Sequence, residues 1–578
     1  MIRITSALRT FSYKFSFSSI KFASVITFNM EKAYLRHSPN GEYFDLTFKL
    51  PVNENSSRAF NFSRKLNETV ETFLSRVKTN VEKVVNKKKK KTPVSDLQPV
   101  SATLLINKSP VAENQTCQEI FKQGESIELI INNKTFSVII NSPWVITLEL
   151  PTSILATFPT YPSKFETLFT NLNLSEFVWF KSKDNVHWDE VGRNYIYVPR
   201  NEDMECFLKF SCTPKNEYTI GPTIEAVSTC KVEASPGECP FERRQIFTQN
   251  RVTGNEFRIV SYNILANLYC DSDYTREVLF PYCPPYALSI DYRKQLFMKE
   301  IIGYNADLIC LQEVDSRIYK CDLESTMSHL GYKSTFYTKG TEVTEGQAFF
   351  YNEVRFILLD TQKVIFSQEI ASNPVLAEIW ERVKKNEKLA ERILARSTIL
   401  QVNVVGSLEF NEVLVIANTH LYFHPDADHI RLLHGSIAIK YLEDVVRQLQ
   451  ERYEGKRVSL IFCGDFNSVP TCGIYQLYTT GSIPGNFVDY SSNPEESIEN
   501  INMTHSFQLG SACGTPEYTN FTASFADCLD YIYYDKSSLT VSQVVPMPSK
   551  EELTQHTAIP SIVFPSDHIA LVSDLKWS

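Results

Sequence analysis

The chain has 578 residues, 43% hydrophobic and 12% aromatic, which is apolar material for several folded cores rather than one. Its 58 basic and 67 acidic side chains give a formal charge of −9. That balance excludes a protein that coats nucleic acid through a global positive field, but admits an enzyme with a local basic cleft and a metal. The thirteen cysteines form no CxxC pair and no HExxH is present, so zinc is disfavoured and reduced thiols in an intracellular compartment are expected.

Residues 1–30 carry Arg3, Arg9, Lys14 and Lys21 but no acid before Glu31, and on a helical projection Ile4, Leu8, Phe11, Phe15 and Phe22 share one stripe. This is the pattern of a mitochondrial transit peptide, predicting the mitochondrial matrix, with Met30 a start for a minor cytosolic form. No run of about 18 apolar residues occurs elsewhere, so membrane insertion is not expected.

A β-rich module, β-grasp-like, is expected over 40–141. Strands at 43–50 and 58–62 precede a helix with Val70, Phe73, Leu74, Val77, Val81 and Val84 at three- and four-residue spacing. The lysine run 87–91 reads as a solvated loop, and strands follow at 102–106, 126–131 and 135–140, the last two joined by an Asn132-Asn133 turn. Over 143–236 the spacing of strands around Trp179, Trp188, Tyr195 and Cys212 predicts an immunoglobulin-like β-sandwich with Cys212 in its core. A linker is read around Ser235-Pro236-Gly237.

From 255 to 578 strands (258–263, 308–312, 347–351, 397–404, 414–420, 459–465, 531–534, 569–575) alternate with helices (291–304, 374–395, 428–449), which predicts an α/β domain with its chemistry at one rim of the sheets. Several segments end in polar tips: SYNILA (261–266), LQEVD (311–315), NTHLY (418–422), CGDFNS (463–468) and PSDHIAL (565–571). Asn263, Glu313, His420, Asp465, Asn467, Asp530, Asp567 and His568 are hard oxygen donors plus imidazoles, a set suited to Mg²⁺ and a phosphodiester. Glu313, at a strand end, is the first expected metal ligand. Asp465 and Asn467 lie two apart, so on an extended segment they face the same way; one can bind metal or activate water while the other donates to a phosphate oxygen. Asp567 divides evenly between a backbone cap and a pocket role. His424, His429, His434 and His505 have no motif around them and read as surface or loop residues.

The order SYNILA, LQEV, NTHL, GDFNS, LDYI and SDH resembles the endonuclease/exonuclease/phosphatase superfamily, and PYCPPYAL (281–288) followed by DYR (291–293) resembles its deadenylase branch. The resemblance implies a four-layer α/β-sandwich that hydrolyses phosphate esters with Mg²⁺, for which Mn²⁺ is a possible substitute. It implies metal ligation by Glu313, Asp465 and Asn467, and catalysis by Asp465, His568 oriented by Asp530, His420 as a second phosphate donor, and Asn263 behind Glu313. It further implies an adenine clamp of Pro425 and Phe525, with Asn520 and Asn467 near the substrate. The expected substrates are 2′,5′-linked oligoadenylates and 3′,5′-linked poly(A) RNA, cut to 5′-AMP. FTASFADCLDY departs from the pattern in lacking glycine, which leaves the shape of the base contact open. The alternatives are a sister phosphodiesterase acting on abasic DNA, inositol phosphates or lipids, and a catalytically silent RNA-binding protein.

Overall fold

The computed structural model describes residues 24–27, 32–38, 40–53, 56–85, 99–340, 343–499 and 501–578. The lysine run 87–91 and most of the expected transit peptide lie outside the described residues. Within that peptide, Ser24–Thr27 is a strand paired antiparallel with Thr223–Lys231.

Two compact units divide the chain: residues up to Glu149 with Glu166–Phe177 and Lys209–Val227, and Leu150–Phe165 with Val178–Leu208 and Ser228–Ser578. In the first, a seven-stranded sheet begins at Lys32–Arg36, ahead of the module boundary expected at residue 40. Lys32–Arg36 pairs antiparallel with Tyr43–Asn53 on one side and parallel with Lys134–Ile140 on the other, joining a leading hairpin to a closing meander. Val70–Val85 is the expected helix, and it buries Val70, Phe73, Leu74, Val77 and Val81 as the spacing requires.

Between 144 and 231, Glu176–Ser182, Asp189–Gly192, Phe207–Thr213 and Thr223–Lys231 make a sheet with Ser24–Thr27, and Trp144–Glu149 pairs with Lys164–Leu168. Trp179 and Cys212 are fully buried. The expected strand at Tyr195 is instead a bent segment with one isolated bridge, Thr160 to Tyr197.

The second unit holds two six-stranded sheets of matching design. One runs Tyr332–Thr338, Glu345–Asn352, Leu308–Asp315, Glu256–Asn263, Leu571–Trp577, Leu539–Val544; the other Phe356–Ile365, Ile399–Ser407, Glu412–His420, Arg457–Asp465, Asp530–Asp535, Leu509–Ser511. Each has a central parallel pair, Glu256–Asn263 with Leu308–Asp315 and Glu412–His420 with Arg457–Asp465, flanked by antiparallel strands.

The alternation of side chains along a strand explains the layering. Phe257, Ile259, Cys310, Leu414, Ile416, Ile461, Cys463 and Ile532 share one core between the sheets. Their neighbours Val413, Val415, Ala417, Leu460 and Phe462 turn the other way, onto the helix Asp428–Arg452. On the far face of the first sheet, Tyr262 meets Glu300 of the helix Ile290–Gly303. Helices therefore cover both outer faces of an α/β-sandwich. The helix expected over 374–395 is broken into Pro374–Leu376, Ala377–Val383 and Glu387–Leu394, and at the second break Asn386 is extended and caps the last piece with its side chain.

Candidate active site

Along the inward face of the central strands the core turns polar towards one end. Ile259 is followed by Ser261 and Asn263, Ile416 by Asn418 and His420, Ile461 by Cys463 and Asp465, and Ile532 by Asp530. Cys310 is followed by Gln312, whose amide nitrogen donates to Asn418 Oδ1 at 2.8 Å, closing the apolar core with a buried amide layer beneath the polar rim. Apolar residues fill the core and polar ones crown it because both lie at every second position.

Glu313 breaks this rule. As the neighbour of inward-facing Gln312 it belongs on the outer face, but the ladder shifts register between Leu311 and Val314 and Glu313 takes φ +56°. That bulge turns the carboxylate into the site, a known use of an extra residue beside a functional centre. Asn263 Nδ2 then donates to Glu313 Oε1 and to Asp465 Oδ2, each at 3.0 Å, and the Ala266 backbone N–H donates to Glu313 Oε2 at 2.9 Å. Gly464 brings Asp465 into place: a Cβ there would lie 2.2 Å from the Thr419 carbonyl oxygen.

Asn467 is not on a continuing strand, as expected from its spacing to Asp465. The strand ends at Asp465, Asn467 adopts φ +48°, and its backbone N–H donates to Asp465 Oδ1 at 2.9 Å while its side-chain amide donates to the Leu421 carbonyl at 3.0 Å. Such a turn suits Asn, which tolerates the left-handed region.

Two histidines face Asp465 Oδ2, His568 Nε2 at 3.5 Å and His420 Nε2 at 3.6 Å. Asp530 Oδ2 accepts from His568 Nδ1 at 2.8 Å and from the Thr519 hydroxyl at 2.6 Å, so a carboxylate fixed by its own partner fixes the ring. Burial opposes charge on His568, but Asp530, Asp465 and Asp567 outweigh it and hold its pKa well above the usual imidazole range. His420 differs: burial, and then Lys339 and His568, drive its pKa well down. Burial also pushes Glu313 up to about 7, with Glu345 adding to the shift, and Asp465 up to about 6. Crowded buried oxygen donors of this kind fit a hard divalent cation, whose charge offsets what a proton otherwise supplies. Glu313 and Asp465 could hold one with Asn467 beside them in the same cavity, while Asn263 gives its amide N–H groups to the two carboxylates; among the described residues Asp465, Asp530 and His568 also bring ligand atoms close enough to share a metal.

These groups open into a cavity of about 1090 Å³. Pro425, Phe525, Asn520, Asn467 and Asp567 line it together with Glu313, His420, Asp465 and His568, while Asp530 stands behind His568. Phe525 is 45% exposed, so it is not core packing. Its loop needs no glycine, because the Thr522 hydroxyl accepts from the Phe525 N–H and the short strands Asn520–Phe521 and Ala526–Asp527 pair beside it. Asn520 Nδ2 donates to Asp567 Oδ2 at 3.3 Å, and Asp567 Oδ1 is buried without a hydrogen-bond partner. Arg293 anchors the rim from below, donating to the carbonyls of Ile264, Leu265, Leu288 and Pro565 and so tying SYNILA to PSDH.

Sequence reasoning missed Lys339, Glu345 and Tyr269, which also line the cavity. His429 and His434, expected at the surface, are fully buried on the inward side of the helix Asp428–Arg452, His429 against Glu496.

Residues 260–568 match the Endonuclease/Exonuclease/phosphatase family, and residues 142–233 match the 2′,5′-phosphodiesterase 12-like N-terminal domain. The chain is 37% identical to 2′,5′-phosphodiesterase 12 of Mus musculus, across 95% of this chain and 94% of that protein. It is 28% identical to the CCR4-Not complex 3′-5′-exoribonuclease subunit Ccr4 of Mycosarcoma maydis, across 57% of this chain and 51% of that protein. A solved structure of ANGEL2, a 2′,3′-cyclic phosphatase, is 22% identical with a TM-score of 0.45, covering 57% of this chain and 97% of that one.

Proposed function

The chain belongs to the endonuclease/exonuclease/phosphatase family, and from that premise we propose that it is a mitochondrial, Mg²⁺-dependent exoribonuclease that releases 5′-AMP from 2′,5′-oligoadenylates and from 3′,5′-poly(A). It is a phosphodiesterase of the exoribonuclease kind, in a family generally dependent on divalent metal. The finer reading is carried by one observation: the oxygen-rich centre around Glu313 and Asp465 and the exposed pair Phe525 and Pro425 share one cavity. A base held on the aromatic ring would lie in the same cavity as the centre proposed to take its 5′-phosphate.

Mg²⁺, or Mn²⁺ in its stead, held by Glu313 with Asp465 and Asn467, would neutralise developing charge on the phosphate and acidify water. Asp465 orients the attacking water and takes its proton. His568, kept protonated by Asp530, donates from Nε2 to a phosphate oxygen, and His420 donates from the other side. Asn263 holds Glu313 and Asp465 in register. The water oxygen bonds to phosphorus as the bond from phosphorus to the ribose oxygen of the preceding nucleotide breaks; that oxygen takes up a proton from solvent, and the terminal adenosine leaves with its 5′-phosphate. On this reading Phe525 and Pro425 take the base, Asn520 the base edge or ribose, and the groups at the metal take the phosphate. Either a 2′- or a 3′-oxygen can therefore be the leaving group.

The reading is tested by incubating the purified protein with 2′,5′- and 3′,5′-linked oligoadenylate, with and without Mg²⁺, and identifying products. 5′-AMP from both, only with metal, is expected. No product with metal points to a silent RNA-binding protein, and faster cleavage of abasic DNA or an inositol phosphate points to a sister activity. Among the described residues no helix is long and apolar enough to cross a membrane.

A further inference from the structure

The two histidines of the centre are held at Nδ1 by partners of opposite character. Asp530 can only accept, so His568 Nδ1 carries a proton. At His420 the hydrogen-bonding neighbour is Lys339 Nζ, 2.9 Å from Nδ1, while the carboxylate oxygen Glu313 Oε1 stands beyond hydrogen-bond reach of Nδ1 at 3.8 Å. A lysine ammonium has three donors and no acceptor, so in this contact Nδ1 must be the acceptor. The proton of a neutral His420 then sits on Nε2, the nitrogen that faces Asp465 Oδ2 and the cavity.

Lys339 is itself fixed on two sides. Its ammonium lies 2.7 Å from Glu345 Oε1, which also accepts from the Tyr269 hydroxyl at 3.2 Å. Its backbone N–H donates to the Glu345 carbonyl at 2.9 Å, at the turn between Tyr332–Thr338 and Glu345–Asn352. Lys339 thus stands between a carboxylate and the imidazole.

We propose that Lys339 is a positioning residue that locks His420 as the neutral Nε2–H tautomer, making His420 a fixed hydrogen-bond donor to the phosphate and not a general base. The kinetic part rests on the phosphodiesterase reading above; the tautomer does not. His420 and His568 thereby divide the work, with one neutral donor and one charged donor on either side of Asp465.

The experiment uses the full chain labelled with [¹⁵N]histidine, with His420 assigned by the loss of its signals in His420→Gln. The expected spectrum has an unprotonated Nδ1 and a protonated Nε2 for His420. Lys339→Met should lower kcat on a small activated phosphodiester on the order of 10–100-fold, with KM for oligoadenylate changed by less than about threefold. It should also leave His420 as a mixture of tautomers. Lys339→Arg keeps a donor-only group and should recover most of kcat, while Lys339→Glu should move the proton to Nδ1. A wild-type His420 protonated on Nδ1, wild-type kcat in Lys339→Met, or Lys339→Arg no better than Lys339→Met each overturns the proposal. Should Lys339→Met not fold, the wild-type spectrum decides the tautomer. A wild-type protein inactive on every phosphodiester would refute the functional reading and still leave the tautomer to be read.

Discussion

Glu313 and Asp465 are bridged by one amide. Asn263 gives one N–H to each, at 3.0 Å, although the two carboxylates come from strands of different sheets. The amide holds them together without neutralising either, and burial pushes Glu313 up to about 7 and Asp465 up to about 6, from ordinary values of 4.5 and 3.8. In folded, metal-free protein these two groups therefore bind protons that they have released in the unfolded chain, so their contribution to stability falls as pH rises from about 4 to 7, against the opposite contribution of His420, whose lowered pKa favours the fold as pH rises towards the ordinary imidazole value. A divalent cation competes with those protons, so Mg²⁺ affinity should rise across the same window, as should the gain in Tm from added Mg²⁺. Thermal melts from pH 5 to 8, with and without Mg²⁺, check both. A gain that shrinks with pH would contradict the ligand set.

Asp530→Asn should leave the His568 ring in place but remove the charge that favours its protonated form. The expected result is a fall in kcat of about 10²–10⁴ with little change in KM for oligoadenylate. Steady-state kinetics decide it; a change confined to KM would mean that Asp530 serves substrate binding.

The rim of the site was legible because a strand that buries every second residue announces where its face turns polar, as in Ile461, Cys463, Asp465. Glu313 was found by its motif, but the reason it points inward was not readable: alternation places it outward, and only the bulge corrects it. Strands Tyr332–Thr338 and Phe356–Ile365 were overlooked because YKSTFYT and FILLDTQKVI mix half-buried polar and apolar residues without clean alternation. Lys339 left no local signal, since its contact with His420 joins residues 81 positions apart. His434 was misread for want of a motif, although Leu433 and Ile437 beside it mark the helix as buried on nearly every side.

Arg293 is fully buried and donates only to backbone carbonyls, from Ile264, Leu265, Leu288 and Pro565. Arg293→Met keeps much of the volume and removes every donor. Leaving buried acceptors unpaired costs about 1–3 kcal/mol each where water does not replace the bond, so a loss of at least about 3 kcal/mol is expected. Denaturant unfolding measures it, and activity should fall with it because the same carbonyls fix the loops bearing Asn263 and His568. A stable variant with intact turnover would show that the clamp is dispensable.

The proposed mitochondrial location rests on Arg3, Arg9, Lys14 and Lys21 beside an apolar stripe free of acids. Replacing all four with Glu should leave the protein in the cytosol. Fractionation or imaging of a tagged chain checks this, and continued import would place the signal elsewhere.

In the proposed function Phe525 serves base recognition and not chemistry. Its ring is 45% exposed in the cavity that also holds Pro425, whereas Glu313, Asp465 and His568 are buried at the floor. A nucleobase stacked on such a ring contributes about 1–3 kcal/mol. Phe525→Ala should therefore weaken the preference for adenylate over uridylate or cytidylate chains by about that amount, measured as a ratio of kcat/KM, and leave hydrolysis of a small activated phosphodiester nearly unchanged. If base and phosphate alone are read, as proposed, the loss should be equal on 2′,5′- and 3′,5′-adenylates. An equal loss on the small phosphodiester would instead mean that Phe525 supports the fold of its loop. Wild-type rates that do not distinguish adenylate from uridylate would remove the base pocket from the account.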